Sequence, residues 1–208
     1  MTEALVGRRE RKKEETKRKI FEAAVKLFTD KGFSATTVDE IAEAADVSKG
    51  TFFNYFPRKE SIAQYLFEEW AEVGEQIVTE TSRPAEERIL ELFTVAAESF
   101  GGKRELARSV MQFALQQMCA PRPEDVATHR HHDQIFDDLW RQGVAAGDFR
   151  SDVDPMLAHG VLGSVFVGAV TWWVGLPDGR VDPRVASLPL PDIIRTHMKM
   201  VFDGLRTT

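Results

Sequence analysis

The sequence has little cysteine and none of the common enzyme motifs. Cys119 is the single cysteine among 208 residues, so no disulfide can form within the chain, and a lone thiol fits the reducing cytoplasm. The N-terminus lacks the apolar segment of a secretory signal. There is also no phosphate-binding loop, dinucleotide fingerprint, nucleophile elbow or paired-histidine protease motif. These absences predict a cytoplasmic protein that is not an enzyme and needs no cofactor.

Charge is distributed unevenly along the chain. The formal net charge is −6, which by itself argues against a general nucleic-acid binder. Residues 1–60 nevertheless hold 13 Lys and Arg against 11 Asp and Glu, whereas the remainder holds 14 against 22. Eight Lys and Arg fall between Arg8 and Lys19 alone. This run is either a solvated helix face or a set of phosphate contacts.

The stretch from Thr36 to Lys59 predicts two short helices joined by a tight turn. Thr37 with Glu40 three positions later forms a capping box that starts the first helix. Ser48 is a second N-cap about three residues beyond that helix, and Pro57 ends the second helix. Two helices joined by so short a turn cross steeply, which leaves the second one projecting from the surface.

The projecting helix is expected to present a polar face without acidic side chains. Its hydrogen-bond donors, its glycine and its longer side chains suit the backbone and grooves of DNA. The residues concerned are Ser48, Lys49, Gly50, Thr51, Asn54 and Tyr55. The alternative is a polar helix start on an ordinary helical protein, since capping boxes alone are common.

At these residues the sequence resembles the TetR (tetracycline-repressor-like) family of bacterial transcription regulators. The resemblance runs from Ile20 to about Leu66 and is carried by Ala23-Ala24, Leu27-Phe28, Gly32, Thr36-Thr37, Ile41-Ala42, Ala45, Val47-Ser48, Gly50-Thr51, Phe56 and Lys59-Glu60. Three positions depart from the family pattern. Asp46 replaces a frequent glycine, Phe53 a frequent tyrosine, and Asn54-Tyr55 a common histidine-containing pair. The last two changes affect the expected operator but not the DNA-binding role.

The resemblance implies an all-α fold of about nine helices in two domains. Residues 1–58 would hold a basic arm and a three-helix DNA-binding domain, with the helix-turn-helix at about 37–56. Residues 59–208 would bind an effector and dimerise. Matched positions assign phosphate contacts to Thr37, Ser48, Lys49, Tyr55 and Lys59, and base edges to Gly50, Thr51 and Asn54. The implied function is a homodimeric repressor on a palindromic double-stranded operator, released when a small apolar or aromatic effector moves the fourth helix.

Helical periodicity continues through the rest of the chain. We predict helices at about 59–81, 84–100, 103–118, 124–146, 155–175 and 187–205. The run from Pro155 to Pro177 contains no Asp, Glu, Lys or Arg and is long enough to span a bilayer. Its glycines and its acidic flanks, Asp154 and Asp178, favour a helix buried inside the protein instead. No membrane partner is therefore expected.

The last two helices have the pattern of a dimer interface. Small residues recur every four positions in the first of them, and the second carries an apolar stripe. The predicted interface residues are Gly160, Ser164, Gly168, Ile194, Met198, Val201 and Phe202. Packing within one chain would satisfy both patterns equally well.

Large deformable side chains are candidates for the effector pocket that the resemblance implies. They are Phe67, Trp70, Phe93, Phe100, Met111, Phe113, Met118, Phe136, Trp140, Phe166 and Trp172. Such residues at helical spacing form a core more often than a pocket, although Met and Phe tolerate a cavity.

A histidine group on one predicted helix suggests an alternative function, a metal-responsive sensor. His129 and His132 lie one helical turn apart, with Asp133 adjacent and Cys119 as a further candidate ligand. Arg130 lies between the histidines, and the spacing matches no strong metal signature. A solvated start of a helix explains the same residues, so no metal site is predicted.

Overall fold

The computed structural model of the protein describes residues 2–119, 126–176 and 179–205. These residues hold ten helices: α1 Thr2–Lys31, α2 Val38–Ala44, α3 Lys49–Tyr55, α4 Ser61–Thr79, α5 Ala85–Ser99, α6 Arg104–Cys119, α7 Val126–Ala146, α8 Pro155–Val174, α9 Pro183–Ala186 and α10 Leu190–Leu205. The predicted all-α class is confirmed. The helix beyond the predicted nine is α9, a single turn that Asp182 caps by accepting a hydrogen bond from the backbone N–H of Arg184.

The chain divides into two compact units, Met1–Tyr65 and Leu66–Thr208. In the first unit α1 packs on α2, and α2 packs on α3. Each helix contributes the apolar side of its periodic pattern, and the most deeply buried side chains are Ile20, Ala24, Phe28, Ile41, Phe52 and Phe56. The first helix ends where Gly32 takes a positive φ of 83° and its N–H bonds the carbonyl of Phe28 at 3.0 Å.

The second unit is built around α8. This helix packs against α6, α7 and α10, while α5 packs against α7 and α10. Asp154 caps the start of α8 by accepting hydrogen bonds from the N–H groups of Met156 and Leu157. At the other end Arg104 donates to the carbonyl of Trp173 at 3.0 Å, and Arg108 donates to the three carbonyls that follow. Both arginines therefore satisfy terminal carbonyls and lie at the negative end of the helix dipole.

By length and composition α8 could also cross a membrane. Its most apolar window has a mean hydropathy of 1.5, and 39% of that window is buried inside the protein. The buried side faces the neighbouring helices, whereas Met156, Leu157 and Val161 are at least half exposed on the other side.

Candidate functional site

The turn between α2 and α3 is fixed by local hydrogen bonds. Thr37 and Glu40 form both halves of the capping box: the Thr37 hydroxyl accepts from the N–H of Glu40 at 3.3 Å, and the Glu40 carboxylate accepts from the N–H of Thr37 at 2.8 Å. Asp46 has a φ of 54°, where the family pattern often has glycine, and the N–H of Val47 returns to the carbonyl of Ala42 at 2.9 Å. The direction of α3 relative to α2 is therefore determined by backbone and cap contacts.

The carboxylate of Glu40 has an unusually low pKa. Its hydrogen bond with the Lys31 ammonium, followed by those from the Thr37 N–H and hydroxyl, lowers the pKa to about 2. The charge belongs to the cap of α2 and links it to the end of α1.

Buried aromatic rings on one side of α3 leave its other side open. Phe52 and Phe56 are 0% and 1% exposed. Their burial turns Lys49, Gly50 and Asn54 outward to solvent. A Cβ added at Gly50 would meet only the Ser48 hydroxyl, at 3.7 Å, so a backbone can approach closely there. Tyr55 is half-buried at the end of the helix.

The hydroxyls at the start of α3 are already hydrogen-bonded. The Ser48 oxygen accepts from the N–H of Thr51 at 3.0 Å, and the two hydroxyls lie 2.8 Å apart. Only one of the pair can donate to the other, so one hydroxyl proton remains available to DNA. Thr51, which is predicted to face base edges, is half-buried.

The face of α3 itself carries no acidic side chain, as predicted, but an acidic residue of α2 pairs with it. The Lys49 ammonium pairs with the Asp39 carboxylate at 2.8 Å, and both side chains are more than half exposed. An exposed pair of this kind contributes at most about 1 kcal/mol, so a phosphate can replace the carboxylate. Sequence reasoning missed it because Asp39 belongs to α2, ten residues away.

The structure gives Lys59 a role different from the predicted phosphate contact. Its ammonium donates to the carbonyls of Phe33 at 2.7 Å and Thr36 at 2.9 Å, and it lies 4.2 Å from the centre of the Phe33 ring. Two of its three N–H groups thus hold the connection between α1 and α2.

Phe53 is a candidate contact that sequence reasoning did not assign. Its ring is 43% exposed on the outer side of α3. Gly50 lies three residues before it and Asn54 directly after it, and both are exposed as well. The helical period could have identified Phe53, since it lies four residues after Lys49 and residues at that spacing share one face of a helix.

In the second unit the predicted pocket residues form aromatic clusters. Phe67 contacts Trp70 and Phe113, with ring centres 4.9 and 6.2 Å apart. Phe67 and Phe93 are half-buried. Six further candidates are buried: Phe100, Met111, Phe113, Phe136, Trp140 and Phe166. The side chain of Met118 lies outside the described part of the structure. Trp172 is 40% exposed and stacks on His197, so it lies apart from these buried clusters.

Several polar groups lie in this interior. Trp140 is fully buried, and within the described residues its indole N–H has no hydrogen-bond partner. His132 Nε2 lies 2.6 Å from the carbonyl of Phe67. His159 stacks on Phe136, and burial lowers its pKa although two carboxylates, those of Asp133 and Asp137, act in the opposite direction. The second unit therefore combines its aromatic clusters with a few polar groups.

The described histidine side chains have separate partners. His131 pairs with Glu75 at 2.9 Å, whereas Asp133 pairs with His159 at 3.3 Å. Among the described residues no group of three potential ligands could hold a metal ion. The side chains of Cys119 and His129 lie outside that part of the chain. The metal-responsive alternative is not favoured.

The predicted dimer interface is partly wrong. Ile194, Met198 and Phe202 are each 0% exposed, because this stripe of α10 packs inside its own unit against α5 and α8. Val201 is half-buried. Gly160, Ser164 and Gly168 do lie on an exposed face of α8, and a Cβ added at either glycine would meet nothing within 4 Å.

Comparisons with known proteins find a family match and several relatives. Residues 20–66 match the model of the bacterial regulatory proteins of the tetR family. The HTH-type transcriptional repressor KstR2 of Mycolicibacterium smegmatis is 25% identical over 74% of this chain and 77% of its own length. The fatty acid metabolism regulator protein of Bacillus subtilis is 27% identical over 78% and 85%.

A solved structure shares the fold. It is the transcriptional regulator FadR from Bacillus subtilis in complex with stearoyl-CoA, which superposes with a TM-score of 0.69 at 21% identity over 91% of this chain and 99% of that one. The relatives confirm the predicted function of a DNA-binding transcriptional repressor. Residues 20–66 therefore form a DNA-binding segment of the tetR family of bacterial regulatory proteins, and the whole chain is similar to repressors of that type.

Proposed function

We propose that the protein is a cytoplasmic, homodimeric repressor that reads a palindromic operator with two copies of α3 and is released by a long-chain acyl-CoA. The observation that carries the DNA-reading part is the open face of α3, with Lys49, Gly50 and Asn54 turned to solvent by the burial of Phe52 and Phe56. A helix-turn-helix dimer places two such helices about 34 Å apart, one helical turn of DNA.

The division of labour on DNA follows from exposure and chemistry. Lys49 holds a phosphate after releasing Asp39, while Thr37, Ser48 and Tyr55 contribute polar contacts to the same backbone. Gly50 lets the backbone of α3 approach the bases, and Thr51 has the smaller part that its partial burial allows. Asn54 has the amide that pairs with adenine in the major groove.

The effector class is supported by the relatives and by the interior of the second unit. One relative is a fatty acid metabolism regulator, and a structure of the same fold holds stearoyl-CoA. Phe67, Phe93 and Phe166 supply apolar surface for an acyl chain. In the same unit the buried Trp140 N–H has no hydrogen-bond partner among the described residues.

The second copy of the chain docks on the outer face of α8. That face combines exposed apolar side chains, Leu157 and Val161, with the flat strip of Gly160, Ser164 and Gly168. The Ser164 hydroxyl donates to the carbonyl of Gly160 in its own helix, at 2.7 Å, so its burial in an interface leaves no unsatisfied donor. Domains 1–58 and 59–208 thereby divide DNA reading from effector binding and dimerisation.

The test begins with selection of bound duplexes from a random pool by the purified full chain. Fluorescence anisotropy on the selected operator then measures release by stearoyl-CoA, with free CoA and stearate as controls, all below the micellar range. We expect release by stearoyl-CoA alone. If the selection enriches no sequence, DNA reading by α3 is contradicted. An enriched operator that stearoyl-CoA does not release leaves DNA reading intact and contradicts the effector class.

A further inference from the structure

Phe53 is the one large apolar side chain in the middle of the open face of α3. It lies four residues after Lys49 and three after Gly50, beside Asn54, and all four residues are exposed. The other two phenylalanines of this segment, Phe52 and Phe56, are buried in the first unit. Core packing therefore does not account for an aromatic ring at position 53.

The ring is held in place by its neighbour. The centres of the Phe52 and Phe53 rings are 5.5 Å apart at an interplanar angle of 87°, an edge-to-face contact. Because Phe52 is fully buried, this contact restricts the orientation of Phe53 before any ligand arrives. The side of the ring toward Gly50 stays open, since that residue has no side chain.

A phenyl ring has no conventional hydrogen-bonding atom, so at the edge of a base its favoured contact is with an apolar group. In the major groove the thymine C5-methyl group is the apolar feature that distinguishes one base from another. We propose that Phe53 reads a thymine in each operator half-site by packing its ring against that methyl group. The assignment rests on the proposed entry of α3 into the major groove.

The neighbouring amide makes the assignment more specific. Asn54 can bond the N6 and N7 atoms of an adenine. Since Asn54 and Phe53 are adjacent and both exposed, the two side chains reach neighbouring base pairs. Each half-site should therefore contain adjacent A·T pairs, with an adenine facing the amide and a thymine facing the ring.

Replacing thymine by deoxyuridine tests this directly, because it removes the methyl group and keeps every hydrogen bond of the base pair. The wild-type full chain is titrated with its selected operator and with duplexes in which one thymine at a time is replaced. Loss of one buried methyl group should weaken binding about fourfold in one half-site and about fifteenfold when both are replaced. Uracil at the other thymines should have little effect.

Two variants assign the effect to a side chain. Phe53→Ala should bind the thymine and uracil operators equally well, whereas Asn54→Ala should bind more weakly but keep the difference between them. Circular dichroism establishes that both variants are folded, and the uracil measurement on the wild-type protein needs neither.

Several results would overturn the proposal. They are an operator without thymine in its half-sites, equal binding of all uracil duplexes by the wild-type protein, and a methyl preference that survives in Phe53→Ala. These leave DNA reading by α3 standing, because a sequence was selected. Failure to select any sequence removes the methyl contact together with the proposed function.

Discussion

Two lysines, one at the start of α3 and one shortly after its end, differ in what their ammonium groups contact. Lys49 pairs with an exposed carboxylate that water and phosphate can replace, whereas Lys59 donates to two backbone carbonyls, those of Phe33 and Thr36. Counting both as DNA contacts would overestimate the electrostatic footprint of this surface. The kind of acceptor separates the two roles where residue type does not: Lys49 pairs with an exposed side-chain carboxylate, and Lys59 with backbone carbonyls.

The salt dependence of DNA binding should distinguish these lysines. Lys49→Ala should weaken binding to operator and random duplexes alike and reduce the slope of log K against log salt by about one. Lys59→Met should leave that slope unchanged and lower the free energy of unfolding by about 1.5–3 kcal/mol, because charge-assisted hydrogen bonds are lost. Anisotropy titrations at four salt concentrations and urea unfolding measure the two effects. A reduced slope in Lys59→Met would restore its phosphate contact.

At the scale of elements, short-range signals in the sequence predicted α2 and α3 well. The Thr37–Glu40 box and the Ser48 cap are complete within three residues each, and the structure forms both. The stripe of α10 was harder, because Ile194 and Met198 are equally consistent with a partner chain or with α5 and α8. The helical period of apolar residues identifies an apolar face of a helix, but it does not identify the element that covers that face. The Lys49–Asp39 pair likewise depends on a turn angle that no short motif encodes.

The cap of α2 should make folding stability sensitive to acid. Glu40 has a pKa of about 2 in the folded protein and a normal value of 4.5, so the folded state binds fewer protons between these values. Its contribution is present above about pH 4.5 and is lost as pH falls toward 2. Urea unfolding of Glu40→Gln at half-unit steps should show a deficit relative to wild type at pH 6 that shrinks to nothing near pH 2. A constant deficit would contradict the charge-based account.

The packing of α7 on α5 depends on a glycine. A Cβ added at Gly143 would lie 2.4 Å from the Phe149 ring and 2.8 Å from the Cβ of Ala85. Gly143→Ala should lower the free energy of unfolding by about 1–3 kcal/mol through overpacking, despite the better helix propensity of alanine. Gly163→Ala is the matched control: it has open space and should be stabilised by up to about 1 kcal/mol. Thermal unfolding of both variants tests the pair, and equal shifts would exclude a steric cause.

For the whole molecule, the proposed function makes operator recognition depend on joining two copies of α3. One copy contacts few bases, and linkage converts binding of the second half-site into an intramolecular step. The exposed stripe of α8 is the proposed joining surface, since the corresponding stripe of α10 is already used inside the unit. Substitutions on the two stripes should therefore have different consequences.

A glutamate on each stripe provides the comparison. Val161 is 50% exposed and Met198 is 0% exposed. Val161→Glu should remain folded but sediment as a monomer, because a charge at the centre of an apolar interface loses its water, and operator affinity should fall about 10²–10⁴-fold. Met198→Glu should instead unfold the second unit, because the charge is buried within one chain. Sedimentation velocity with circular dichroism separates these outcomes. A dimeric Val161→Glu would remove α8 from the interface, and a folded, monomeric Met198→Glu would return the interface to the α10 stripe.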